Sequence, residues 1–264
     1  MKLCFSTLAC PDWSFEEIAS IAKELGFSAI ELSGLQGELY APDIWGNDRE
    51  KIMATRRYLR SIRMPIACLS SHCYLHEGHR YLKEAKEYID LAHDLKVPFV
   101  RLLGDRNPEP GERVDTEVAK ELLKALDEYA SKTDVTPLLE TNGIFANSLL
   151  VKTLFSECNL KHCGVLWDIQ HPYLYYREDP FYTVSNLKEL IRFVHVKDSV
   201  VSLNQVVYRP VGEGKLPILQ CLKALNEIGY KGYFSLEWVK RWHPELSEPR
   251  EVLIGYQQYM KQKH

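Results

Sequence analysis

The 264-residue sequence contains no apolar run approaching the ~18 residues that a membrane-crossing helix needs, so no transmembrane segment is expected. Its opening, Met-Lys-Leu-Cys-Phe-Ser-Thr-Leu-Ala-Cys, is too short an apolar stretch for a lipoprotein leader before Pro11 and Asp12 end it, and it reads as a first strand. Cys-x-x-Cys pairs are absent as well. The seven cysteines, at positions 4, 10, 68, 73, 158, 163 and 221, suit neither a disulfide framework nor a zinc ribbon, and small buried apolar residues in a reducing, cytoplasmic compartment are expected. An excess of charge is also missing. The 33 Lys and Arg against 36 Asp and Glu leave a net −3 spread along the chain, which gives nucleic acid or an anionic membrane no basic stripe to bind. No linker or shift of composition interrupts the chain, so one domain over residues 1–264 is expected.

Short apolar runs do alternate with amphipathic stretches from end to end. Candidate strands are Leu3 to Leu8, Ala29 to Leu32, Ile66 to Ser70, Phe99 to Leu103, Pro137 to Glu140, Gly164 to Asp168, Phe193 to Lys197 and Tyr233 to Trp238. Helices are expected between them. Phe15, Ile18, Ala19, Ala22 and Leu25 recur at helical spacing, as do Leu82, Ala85, Ile89 and Ala92, and Ile218, Cys221, Leu222 and Leu225. Ser14 and Asn147 suit helix starts, Gly26 and Gly229 helix ends. A doubly wound nucleotide-binding sheet would usually carry a glycine fingerprint after its first strand, but Ala9-Cys10-Pro11-Asp12-Trp13 has none. Eight βα units in about 33 residues each predict an α/β protein with a single (β/α)8 TIM barrel.

Such barrels gather function at the C-terminal ends of their strands. Four successive strands here end in metal-ligand types: Glu140 in Pro-Leu-Leu-Glu-Thr-Asn-Gly, Asp168 in Val-Leu-Trp-Asp-Ile-Gln-His-Pro, His195 in Phe-Val-His-Val-Lys-Asp, and Glu237 in Phe-Ser-Leu-Glu-Trp. Strand alternation puts Leu138 with Glu140, Leu166 with Asp168 and Ser235 with Glu237 on one face, directed into the barrel. The segment from Ser199 to Gly214 is expected to be a functional loop before the seventh helix. Three buried carboxylates would repel one another and be costly to desolvate, whereas a divalent cation makes the cluster favourable. This oxygen-rich set favours Mn²⁺ or Mg²⁺, with Zn²⁺ and Co²⁺ also compatible with the ligand types.

The fragments Leu139-Glu140-Thr-Asn-Gly, Trp167-Asp168-Ile-Gln-His171-Pro172, His195-Val-Lys-Asp198, Val211-Gly-Glu-Gly214 and Ser235-Leu-Glu237-Trp resemble those of the xylose-isomerase-like barrel superfamily. Its members include sugar and sugar-phosphate isomerases and epimerases, keto-inositol dehydratase, hydroxypyruvate isomerase and endonuclease IV. The resemblance implies metal ligation by Glu140, Asp168, His195 and Glu237, with Glu140 and Glu237 also carrying protons about a metal-stabilised enediolate. It further implies that His171 and Arg209 hold substrate oxygens. The endonuclease IV branch needs a fuller set of histidines and carboxylates for three metals; here the fourth strand ends in Arg101-Leu-Leu-Gly-Asp105, and Asn204 to Tyr208 has no Asp-x-His.

Other residues carry two readings each. His72 is expected to line the pocket, with His76 and His79 in a loop whose spacing does not match the zinc-protease helix motif. Arg101 and Lys197, facing inward, would bind a substrate oxygen or neutralise a neighbouring carboxylate. Trp13, Trp238 and Trp242 follow the first and last strands, where an aromatic ring could stack on a sugar or simply wall the mouth. Gly212-Glu-Gly214 could cradle a phosphate at a helix start, although Glu213 repels anions. The expectation is a metal-dependent isomerase or epimerase of a ketose, keto-polyol or sugar phosphate, as a homo-oligomer, dimer or tetramer, with no nucleic-acid or membrane partner. The alternatives are a dehydratase using the same metal and base, and a non-catalytic sugar-binding barrel.

Overall fold

The computed structural model describes residues 1–46, 48–111 and 115–263. In chain order the elements are β1 (Lys2–Phe5), α1 (Phe15–Glu24), β2 (Ile30–Leu32), α2 (Ala41–Trp45), α3 (Arg49–Ile62), β3 (Ile66–Tyr74), α4 (Arg80–Leu95), β4 (Phe99–Leu103) and α5 (Thr116–Ala130). They continue with β5 (Thr136–Glu140), α6 (Ser148–Cys158), β6 (Gly164–Asp168), α7 (His171–Tyr176), α8 (Pro180–Leu187), β7 (Ile191–Val196), β8 (Asp198–Ser202) and β9 (Gln205–Arg209). The last three are α9 (Ile218–Glu227), β10 (Tyr233–Leu236) and α10 (Pro249–Gln262). Eight strands pair in parallel in the order β1-β10-β7-β6-β5-β4-β3-β2. The ring is drawn together between its ends by the Ser28 N–H donating to the Leu3 carbonyl at 2.7 Å and by a parallel bridge between Ser6 and Glu31. This is the expected (β/α)8 barrel.

Local chemistry sets the helix ends. Ser14 accepts from the Glu17 N–H while the Glu17 carboxylate accepts from the Ser14 N–H, a capping box that starts α1 and turns Ile18, Ala19, Ile21 and Ala22 onto the strands. Gly26, at φ +74°, ends the helix in the left-handed conformation that a residue without Cβ adopts without strain. Asn147 caps α6 through the Leu150 N–H.

Several strand limits differ from the sequence reading. The first strand stops at Phe5 rather than Leu8, because the Ser6 side chain caps a short 3₁₀ turn over Thr7–Ala9. The third runs on past Ser70 to Tyr74, and the eighth barrel strand ends at Leu236 rather than Trp238. The segment from Ser199 to Gly214 is largely a β-hairpin, with β8 and β9 antiparallel and Leu203 and Asn204 both at positive φ in its turn. Lys197 and Glu237 therefore stand just beyond their strands, at the barrel mouth.

Two apolar layers follow from the alternation of side chains across each strand. The larger packs the outer faces of the strands against the helices. The smaller lies inside the ring and consists of Cys4, Ala29, Ala67, Cys68, Leu138, Leu166 and Phe193, with Phe99 and Tyr233 against it. Each strand's next inward position, two residues on, is polar: Ser6, Glu31, Ser70, Arg101, Glu140, Asp168, His195 and Ser235, all buried. The apolar plug is the floor on which the site rests. Phe193 meets Phe99, Tyr233 and His195 with ring centroids 6.0, 5.9 and 6.1 Å away. Phe193→Ala is expected to cost about 3–5 kcal/mol of stability, measured as a lower urea midpoint with an unchanged m-value.

Candidate functional site

Glu140, Asp168, His195 and Glu237, from the ends of β5, β6, β7 and β10, are all buried and each offers one ligand atom within 4.8 Å of the others. Register accounts for the convergence, since β10, β7, β6 and β5 are neighbours in the ring and Asp168 pairs directly with His195. His195 Nδ1 lies 3.4 Å from Glu237 Oε1, 3.7 Å from Glu140 Oε1 and 3.9 Å from Asp168 Oδ2. It has no hydrogen-bond partner. Asp168 Oδ1 accepts the N–H groups of Gln170 and His171, which leaves Oδ2 turned to the same centre. Oδ2 meets Lys197 Nζ at 2.6 Å as an ion pair but lacks the geometry of a hydrogen bond.

Arg101 and Lys197 are drawn into this cluster. Arg101 Nη1 reaches Glu140 Oε2 at 3.2 Å and Glu237 Oε1 at 3.4 Å, while its Nη2 donates to the Ser71 carbonyl at 2.9 Å. Lys197 Nζ contacts Asp168 and Glu237 Oε2. Of the two readings open for these cations, neutralisation of neighbouring carboxylates is what the contacts display. Burial pushes the Glu237 carboxyl up, but Lys197, His195 and Arg101 outweigh it and hold the group well below the usual carboxylate range. Glu140 is likewise lowered, against burial, by Arg101 and His195.

The donor set fits a divalent cation. Two buried atoms without a hydrogen bond, His195 Nδ1 and Asp168 Oδ2, the latter ion-paired to Lys197, face one point with two glutamate oxygens beside it. Charge agrees: the four buried carboxylates Glu31, Glu140, Asp168 and Glu237 face two buried permanent cations, Arg101 and Lys197, so with His195 neutral as a ligand two negative charges remain for an ion to cancel.

The remaining expected residues distribute unevenly. His171 is buried at the start of α7; its Nδ1 lies 2.9 Å from the Thr141 carbonyl and 3.7 Å from Asp168 Oδ1. His72 is half-buried. Burial, with Arg101 and Arg241 nearby, lowers its pKa to about 4, so it is neutral at pH 7. Trp13 packs half-buried against the outer core, and Trp242 meets the His72 ring edge-on at 6.1 Å. His76 and His79 lie in and beside a short 3₁₀ turn, away from the cluster. Arg209 is exposed at the end of β9, where its guanidinium donates to the Tyr208 carbonyl at 3.4 Å, and among the described residues it is not brought to the carboxylates.

The glycine turn has another task than binding phosphate. The N–H groups of Gly212 and Gly214 donate to Asp198 Oδ2 at 2.9 Å each, and those of Ser199 and Leu216 to Oδ1 at 2.9 and 3.1 Å. A Cβ on Gly214 would lie 2.0 Å from Asp198 Oδ1, so only glycine allows this approach. Asp198 thus clasps the chain on both sides of the hairpin. Asp198→Ala, which strips an acceptor from four backbone donors, is expected to lose at least about 2 kcal/mol of stability and to speed hydrogen exchange at Gly212, Gly214 and Leu216; Asp198→Asn should lose less.

Two participants escaped the sequence reading. Glu31, fully buried on β2, carries the same strand-end signal as the other four, with Ala29 two residues before it on the inner face, and contacts His195. Tyr208, on β9, is set close to the charges of Lys197, Glu237 and Asp168; burial raises its pKa, although Lys197 opposes the rise. Nothing in the spacing of the hairpin marks that tyrosine.

Fold and cluster together define a parallel barrel whose mouth can hold a divalent ion. Residues 19–258 match the family of the xylose isomerase-like TIM barrel, and the chain belongs to that family. No curated protein matches the sequence. Among solved structures, the IolI protein with a bound zinc atom superposes at a TM-score of 0.81 and 16% identity, covering 100% of this chain and 98% of that one. The 3-keto-D-glucoside 4-epimerase of E. coli gives 0.75 and 16%, covering 100% of each chain. The probable 3-DHS dehydratase AsbF of Bacillus anthracis gives 0.77 and 17%, covering 99% of each. At such identities these likenesses establish the fold alone. Among the described residues no helix is long and apolar enough to cross a membrane.

Proposed function

We propose that the protein is a metal-dependent isomerase or epimerase acting on an uncharged ketose or keto-polyol. The observation that carries this reading is the convergence of Glu140, Asp168, His195 and Glu237 on one buried point, with two of their ligand atoms making no hydrogen bond. A divalent ion held there would supply Lewis-acid polarisation of a substrate carbonyl and its neighbouring hydroxyl. Glu140 and Glu237 are the acid–base pair: one takes the proton α to the carbonyl, and the other returns a proton to the opposite face. Arg101 and Lys197 favour the ionised form, so the glutamate that takes the proton is a weak base suited to a substrate already acidified by polarisation, and its partner must enter the turnover protonated in order to return one.

Charge favours a neutral substrate. With an ion bound, the carboxylates and cations of the cluster balance, and a phosphate dianion set among them would have no spare partner. His171 and neutral His72 are the donors and acceptors we assign to substrate hydroxyls, with Trp13 at the mouth; Arg101 and Lys197 serve the carboxylates first, and Arg209, exposed beside the Tyr208 carbonyl, is given no part. A dehydratase is the second reading, favoured by Lys197, whose buried ammonium beside Glu237 could assist a departing hydroxyl. Both an epimerase and a probable dehydratase stand among the structural neighbours.

The test is proton exchange. Mn²⁺-loaded protein in D₂O should place deuterium next to the carbonyl of an accepted ketose or keto-inositol, read by NMR, and the product separates epimerisation, isomerisation and dehydration. Glu237→Gln is expected to slow exchange by at least ~10²-fold, with circular dichroism and metal content measured on the same sample. Undiminished exchange in that variant would overturn the two-carboxylate mechanism. No exchange on any member of a broad panel would leave a sugar-binding barrel as the better description. Metal analysis should find about one divalent ion per wild-type chain and a large loss in Asp168→Ala.

A further inference from the structure

Glu31 is a charged group that the acid–base chemistry does not use, and it is fully buried. Its surroundings are built to hold it. Ser70 Oγ donates to Oε1 and Ser235 Oγ to Oε2, each at 2.5 Å, and His195 Nε2 lies 3.0 and 3.1 Å from the two oxygens. The carboxylate thus receives three donors from β3, β7 and β10 while being carried by β2, across the barrel from β7. Both oxygens are thereby occupied and the carboxylate plane is fixed relative to the imidazole.

The consequence lies on the other side of the imidazole. A neutral histidine ring has one N–H and one lone pair, and the partner of one nitrogen decides which is which. With Nε2–H directed at Glu31, the neutral ring carries its lone pair at Nδ1, the atom that faces Glu140, Asp168 and Glu237 without a hydrogen bond. We propose that Glu31 is a positioning residue: by accepting from His195 Nε2–H it fixes the tautomer and ring orientation that offer the Nδ1 lone pair to a divalent ion, and Ser70 and Ser235 fix Glu31 in turn. This rests on the metal-site reading above. Carboxylate–histidine pairs of this kind tune metal affinity by roughly 10- to 100-fold.

The test compares the full-length wild type with Glu31→Ala, Glu31→Gln and Asp168→Ala, using Zn²⁺ in competition with a chromophoric chelator. Thermal melting of the metal-free proteins shows which variants fold. Glu31→Ala is expected to weaken Zn²⁺ binding by roughly 10- to 100-fold, and Glu31→Gln, whose amide oxygen still accepts from Nε2–H, to recover most of that loss. In Zn²⁺-loaded protein labelled with ¹⁵N-histidine, the wild type should show one ring with a slowly exchanging Nε2–H and a metal-bound Nδ1, and Glu31→Ala should lose the slow exchange. Such a nitrogen signature would not respond to a merely structural carboxylate.

Wild-type affinity in a folded Glu31→Ala protein would overturn the proposal, and so would Glu31→Gln binding as weakly as Glu31→Ala, because charge rather than tautomer would then be the agent. If Glu31→Ala does not fold, the Ser70→Ala/Ser235→Ala double variant serves, with a loss of roughly threefold or more expected and an unchanged affinity overturning the proposal. No Zn²⁺ uptake by the wild type would remove the metal reading and this proposal together. Normal uptake that Asp168→Ala abolishes but Glu31→Ala leaves intact would remove this proposal alone.

Discussion

Four carboxylates, those of Glu31, Glu140, Asp168 and Glu237, are held inside a ring of strands from which water is largely excluded, and their mutual repulsion constrains everything placed near them. Burial alone would protonate such groups or drive them apart. They stay together because Arg101 and Lys197 enter the same interior, because two serines and backbone N–H groups bind the oxygens, and because one point is left for a cation. Each counter-charge has a geometric cause. Arg101 is an inward residue of β4, two positions after Phe99, and Lys197 follows His195 by two, just past the end of β7, so the alternation that buries the acids also delivers their partners.

The same alternation separates stability from chemistry along the barrel axis. Below, Leu138, Leu166 and Phe193 form an apolar floor; two residues further along the same strands stand Glu140, Asp168 and His195. A polar layer seated on a packed floor has little room to relax, which keeps ligand atoms pointed at one centre. Above it, the β8–β9 hairpin is tied down by the Asp198 carboxylate and sets Tyr208 within the field of Lys197, so the mouth is shaped by a clasp one residue beyond Lys197.

Barrel architecture and four members of the cluster were legible in the amino acids. Eight apolar runs with helical periodicity between them leave few other topologies, and an acid or histidine at the inward end of four successive strands is a pattern that local spacing displays. Glu31 escaped because its partners are 39, 164 and 204 residues away in sequence, and a lone glutamate after Ala29-Ile30 reads like any rim acid until the ring closes. The glycine turn was misleading for the opposite reason: its motif suggested anion binding, whereas Asp198, itself part of the His-x-Lys-Asp run, already occupies its N–H groups.

Sequence by itself therefore determined the order of the elements, the inward face of each strand and the types of group at the mouth, since these depend on periods of 2 and 3.6 residues that neighbours in the chain impose. Only the tertiary structure decided which groups meet: that Arg101 and Lys197 face carboxylates, that Arg209 stands outside with the hairpin, and that His195 turns one nitrogen to Glu31 and the other to the cluster. Those pairings depend on the register and closure of the ring, which bring together residues whose separation along the chain carries no information about their distance in space.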